Sequence, residues 1–133
     1  MKQFFICLIT LSMLSCSLDE GSNSYLKTIP IETASMPEYF QYGQVYQINL
    51  TYLKTSSCYS FNDVYSVKND NTITFAVINS VTDNGNCQTI SQEIEKSFDF
   101  TASDIGTYIF KFWQGEDNNG EDVYLIMEIP VEQ

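Results

Sequence analysis

The sequence predicts an all-β protein, a single antiparallel β-sandwich of about seven short strands. Three observations lead there. No long stretch places apolar residues at helical spacing. Apolar and polar residues instead alternate along short runs, as they do in strands with one buried face. Turn formers such as Lys68-Asn69-Asp70-Asn71 and Asp83-Asn84-Gly85-Asn86 separate the runs. A single sheet leaves its apolar face in water, so two sheets packed face to face are the physical solution.

A first strand is expected near Tyr25 to Glu32, with Pro30 pointing to a sheet edge because proline has no N–H for a ladder. In residues 45–54, Tyr46, Ile48, Leu50 and Tyr52 alternate with Gln47, Asn49 and Thr51. Residues 58–67 carry Tyr59, Phe61, Val64, Tyr65 and Val67, and the alternation slips at Asn62-Asp63, which predicts a bulge or break. Residues 72–82 put Ile73, Phe75, Val77 and Val81 on one face. Residues 93–100 end in a strand through Ile94, Phe98 and Phe100. The clearest strand is 107–114, TYIFKFWQ. Tyr108, Phe110 and Phe112 share its core face, and Ile109, Lys111 and Trp113 share the other. Residues 122–131 place Val123, Leu125, Met127, Ile129 and Val131 on one face, with Pro130 suited to a strand end or edge. No repeat and no internal linker divides the set, so residues 25–133 read as one domain.

One local motif sharpens the architecture. Asp104-Ile105-Gly106-Thr107-Tyr108 resembles the D-x-G-x-Y corner of immunoglobulin-like domains. There the tyrosine hydroxyl bonds back to upstream backbone and locks the entry to a strand. The resemblance implies an immunoglobulin-like sandwich. In the disulfide-bonded members a cysteine follows two residues after the tyrosine, and here Phe110 takes that place. The other reading of these residues is a generic turn into a strand.

The N-terminus reads as an address. In MKQFFICLITLSMLS, Lys2 supplies a positive charge and Phe4 to Leu14 form an uncharged, mostly apolar run. That run suits the core of a signal peptide and is too short for a membrane span of about 20 residues. Met13-Leu14-Ser15-Cys16 resembles the lipobox of bacterial lipoprotein precursors, in which apolar residues and one small residue precede a cysteine. The commonest form has Leu and then a small residue where Met13 and Leu14 stand. The resemblance implies cleavage after Ser15, with residues 1–15 as signal peptide. It also implies a diacylglycerol thioether on Cys16 and a lipidated flexible tether over 16–24. Ordinary secretory cleavage nearby, leaving Cys16 a plain thiol, is the alternative. In many Gram-negative lipoproteins an Asp directly after the cysteine retains the protein at the inner membrane. Ser17 stands there instead, which implies the outer membrane, facing the periplasm or the cell surface. Leu18-Asp19-Glu20 is similar to the acidic stretch of some surface-exposed lipoproteins.

If Cys7 leaves with the signal peptide and Cys16 takes lipid, two of the four cysteines remain, Cys58 and Cys87. In an oxidising compartment they are expected to pair, with two free thiols as the alternative.

Charge and composition narrow the function. Seventeen Asp and Glu stand against six Lys, with no His, for a formal charge of −11. Such a surface repels phosphate backbones, which argues against nucleic acid. Without His the chain lacks the usual general base and the commonest transition-metal ligand. A small sandwich also has little room for a deep catalytic cleft. The expectation is a non-enzyme without a cofactor.

Two features bear on binding. Trp113 is the only tryptophan, and Lys111 on the same strand face says that this face meets water. An aromatic side chain there is a platform for a glycan or an envelope protein. The other reading packs Trp113 beneath the next loop. That loop, Gly115 to Asp122, offers Asp117, Asn119, Glu121 and Asp122 as hard oxygen donors of the kind calcium takes. Its spacing does not match an EF-hand, and a soluble hairpin turn accounts for the same residues. The function expected is a binding module on a lipid anchor. The alternatives are an accessory envelope lipoprotein without a ligand and a calcium-binding adhesion module.

Overall fold

The computed structural model describes residues 23–133, and the expected signal peptide, Cys16 and most of the expected tether lie outside the described residues. Nine strands run in chain order: β1 (Asn23–Ile29), β2 (Ile31–Ser35), β3 (Phe40–Gln41), β4 (Val45–Ser56), β5 (Tyr59–Asn69), β6 (Thr72–Asp83), β7 (Thr89–Thr101), β8 (Gly106–Glu116) and β9 (Asp122–Glu132). They form two open sheets. The larger is ordered β1-β6-β8-β9-β3, with β5 on the other side of β6, and the smaller is β2-β4-β7.

The two extra strands have identifiable causes. The strand expected near Tyr25 to Glu32 is two strands, split at Pro30. Proline lacks the N–H that would carry the ladder onward. The chain crosses there from β6, partner of β1, to β4, partner of β2, and buries Ile29 and Ile31 on either side of the crossing. Among the described residues pairing already holds at Asn23, opposite Asp83. The two-residue β3 has no alternation to announce it. It exists because Phe40, fully buried, packs 4.7 Å from the Tyr46 ring and 5.9 Å from that of Phe110.

The expectation of purely antiparallel sheets is not met, because two short pairs are parallel. One is β3 with β9, and the other joins Thr72–Phe75 of β6 to Ile109–Phe112 of β8. β5 and β6 form a tight hairpin, and β8 docks beside the second of these strands. That neighbour runs in β8's own direction.

The core lies between the sheets. Ile48, Leu50 and Tyr52 of β4 meet Ile73, Phe75 and Val77 of β6 and Tyr108, Phe110 and Phe112 of β8. Phe98 and Phe100 of β7 cross from the small sheet, at 5.1 Å from Phe75 and 5.2 Å from Phe110. Such tilted and edge-on ring pairs suit the aromatic quadrupole. Three strands cannot cover six, so the outer strands of the large sheet are only half covered. Of the five residues expected on the inner face of β9, Ile129 alone is fully buried, and Val123 is exposed.

The tyrosine corner is present. The Tyr108 hydroxyl accepts from the Asp104 backbone N–H at 2.9 Å and donates to the Asp104 carboxylate at 3.1 Å. Lys68 also binds that carboxylate, and the two donors together hold it below the usual carboxylate range, Lys68 contributing more. Gly106 is required within the corner. Its φ is +107°, and a Cβ would lie 3.2 Å from the Asn71 amide nitrogen. That nitrogen donates to the Ile105 and Thr107 carbonyls on either side of Gly106.

One core position breaks the pattern. Asn79 lies on the core face of β6 between Val77 and Val81, fully buried, and neither side-chain polar atom has a hydrogen-bond partner. An unsatisfied buried amide costs about 1–3 kcal/mol. Asn79→Val is therefore expected to raise unfolding free energy by about 1–2 kcal/mol, less than the full penalty because valine's branched shape does not match the space the amide fills. Urea titration checks this. A variant no more stable than the parent would mean that the amide is satisfied in solution.

Candidate functional site

The outer faces of the two sheets differ in chemistry. Across the small sheet, the Thr33 and Thr51 hydroxyls meet at 2.5 Å, Ser97 bonds Asn49, and Gln47 sits opposite Asp99 and Thr51 opposite Glu95. That face is mostly polar and acidic, with Val45 its exposed apolar residue at one end. The large sheet turns outward Leu26 (64% exposed), Ile126 (57%), Tyr65 (54%) and Val67 (47%). Half-buried Ile109, Trp113 and Tyr124 lie among them.

A fork in the sheet shapes this face. β6 pairs with β8 as far as Phe75, and the same edge pairs with β1 from Val77 onward. At Ala76 one neighbour has left and the other has not begun. The strands part there, and a groove of about 330 Å³ opens on the outer face. Its floor holds Thr74 and Ala76 of β6 and Thr28 of β1. Tyr65 and Val67 of β5 form one wall, and Trp113 and Tyr124 the other.

Local sequence places each wall. On β8, strict alternation puts Tyr108, Phe110 and Phe112 in the core and turns Trp113 outward, as expected. Trp113 sits directly across from Tyr124 of β9. Its indole N–H donates to the Asp122 carboxylate at 3.0 Å. Just beyond, β8 bulges, with Gly115 at φ +101°, where an added Cβ would lie 3.5 Å from the Pro30 ring. Lys111 lies on the same outer face but not in the groove. Its ammonium stands 4.2 Å from the centre of the Tyr124 ring, a cation–π contact. The structure thus brings Trp113 beside the groove and uses Lys111 to brace the wall.

Tyr65 owes its position to the slip anticipated at Asn62-Asp63. Phe61 opposes Asn79 and Asp63 opposes Ile78, so Asn62 is the extra residue. The bulge resets the phase, sending Val64 inward and Tyr65 and Val67 outward. Sequence reasoning did not assign Tyr65, Val67 or Tyr124 to a site. The bulge was the available signal for the first two.

The loop donors do not converge. Asp117 accepts from the backbone N–H groups of Asn119 (2.8 Å) and Glu121 (3.0 Å), the carboxylate capping its own turn. Asp122 is engaged by Trp113. Among the described residues no three acidic or cysteine side chains are gathered where an ion would sit. Cys58 and Cys87 are joined in a disulfide with their Cα atoms 5.4 Å apart.

A second hollow, between the free edges of β5 and β7, reaches Phe75 and Phe98. Lys96 lies across its mouth, 4.5 Å from the Phe61 ring centre. An inward-pointing lysine of this kind blocks strand addition at an open edge. Compared with known protein families, curated proteins and solved structures, the chain matches none.

Proposed function

We propose that this protein is an outer-membrane or surface-anchored lipoprotein whose domain is a non-catalytic binding module. Cys16 carries the lipid, and the outer face of the large sheet carries the ligand, a glycan or an envelope protein. The domain is read as immunoglobulin-like on the strength of the Tyr108 corner and two sheets sharing one core. The parallel β6–β8 pair departs from the antiparallel sheets of that family.

The observation that carries the binding role is the contrast between the outer faces. A sheet face with no task is expected to be polar, as the small sheet's is. The large sheet instead keeps four exposed apolar or aromatic residues, two of which, Tyr65 and Val67, line a groove. Contiguous exposed apolar surface has a use more often than not. An accessory lipoprotein without a ligand has no need of it.

The test has two arms. Cells fed labelled fatty acid should mark the native protein and not Cys16→Ser, and label on that variant would overturn the anchor. Envelope extract passed over the immobilised native protein should leave a bound component. Trp113→Ala should hold it about tenfold more weakly. Equal retention by both proteins, or none by either, would overturn the binding face.

A further inference from the structure

We infer that the groove at the β6 fork binds an uncharged glycan chain, with sugar rings stacked on Trp113 and Tyr65. The inference rests on the outer face being the binding face and names what that face takes. A pyranose ring offers a C–H face with little polarity and a rim of hydroxyls. A site for it needs flat aromatic surface and hydrogen-bonding groups set close together, in a cleft shallow enough for a chain to lie along.

The fork supplies each of these. Trp113 and Tyr124 face Tyr65 across a floor kept low by Ala76, the smallest side chain that lines it. The Thr28 and Thr74 hydroxyls sit on that floor, and each can donate and accept. Asp122 fixes the indole by its N–H at 3.0 Å, so the ring is held in place before any ligand arrives. A pre-set aromatic surface loses little entropy on binding. The Asp122 carboxylate has further lone pairs to accept from a sugar hydroxyl.

Charge selects a neutral chain. Asp122 is the one charged side chain lining the groove, and the protein as a whole carries −11. Lys111, the nearest cation on this face, rests on the Tyr124 ring, behind the wall. An acidic polysaccharide meets repulsion with no compensating cation. A second copy of the chain would bring another −11 against this face. The Thr hydroxyls and the carboxylate also make a poor floor for a purely apolar peptide, which would leave them unpaired.

Trp113 is the only tryptophan, so its emission reports on the groove alone. The full chain, in detergent, is titrated with cellohexaose, maltohexaose and hexa-N-acetylchitohexaose, and with a hexamer of galacturonic acid as the anionic comparison. At least one neutral hexasaccharide should give a saturable emission shift, with half-saturation on the order of 10 μM to 1 mM. Tyr65 is exposed, so Tyr65→Ala should fold normally while weakening that sugar about tenfold. Calorimetry on Trp113→Ala should show a loss at least as large. The inference is overturned by any of three results: no saturable response to the neutral sugars up to about 10 mM, tighter binding of the acidic hexamer, or unchanged affinity in Tyr65→Ala. If no sugar binds but the envelope component is still lost from Trp113→Ala, the glycan assignment falls and the binding face stands. If both fail, both fall.

Discussion

Phe110→Ala is expected to lower the unfolding free energy by about 3–5 kcal/mol. Phe110 is fully buried at the centre of the aromatic cluster. Its ring lies 5.2 Å from Phe100, 5.7 Å from Tyr108, 5.9 Å from both Phe40 and Phe75, and 6.5 Å from Phe112. These neighbours come from four different strands, counting β8 itself, and from both sheets. Truncation therefore removes transfer free energy and also opens a cavity whose walls are stiff rings. Collapse into that space would require both sheets to move. Total stability of a domain this size is about 5–15 kcal/mol, so the variant should be close to unfolding. Phe110→Leu, which keeps more of the volume, should lose less than half as much. Ile126→Ser, on the outer face, should change stability by no more than about 0.5 kcal/mol. Urea titration of the three variants checks the ranking. A Phe110→Ala variant within about 1 kcal/mol of the parent would mean that the ring cluster is not the packed centre.

The same strand shows how much of the molecule was legible in its sequence. TYIFKFWQ has a period of two and one lysine to mark the wet side, and those features decide every facing of β8 without reference to the rest of the chain. The tyrosine corner was legible for a similar reason, since Asp104, Gly106 and Tyr108 interact within five residues. Phe40 was not. Its burial depends on rings contributed by β4, β7 and β8, and nothing near it in the chain alternates. Strand pairing was illegible for a deeper reason. Alternation says which face is buried, but not which strand lies alongside or in which direction. The parallel docking of β8 on Thr72–Phe75 joins residues more than thirty positions apart. The fork at Ala76 follows from that docking together with the start of β1 pairing at Val77. Trp113 and Lys111 were readable as outward residues. The groove between Trp113 and Tyr65 was not, because it is a property of the pairing.

Removing the disulfide should cost nearly as much as removing Phe110. Cys58 lies in the turn from β4 to β5, and Cys87 in the loop from β6 to β7. Both connections carry the chain between the sheets, β4–β5 from small to large and β6–β7 back again. The bridge therefore fastens two sheet crossings to each other at one end of the domain. Backbone contacts set the same register around it. The Ser57 N–H donates to the Gln88 carbonyl at 2.9 Å, and the Thr82 N–H to the Cys58 carbonyl at 3.1 Å. The bridge is not needed to create this arrangement, only to keep the unfolded chain from losing it. With the partners at a sequence separation of 29, loop closure in the unfolded state is worth about 3–4 kcal/mol. Cys58→Ser with Cys87→Ser should lower unfolding free energy by about that amount. Cys87 is exposed, so dithiothreitol should reach the bond. The reduced native protein should then unfold at the same urea concentration as the double variant, and dithiothreitol should leave the double variant unchanged. A midpoint indifferent both to reductant and to the double substitution would mean that the bridge does not constrain the unfolded chain. Because the pairs that flank the groove, β5–β6 and β8–β9, form without the bridge, ligand-induced emission changes at Trp113 should survive reduction wherever the domain remains folded.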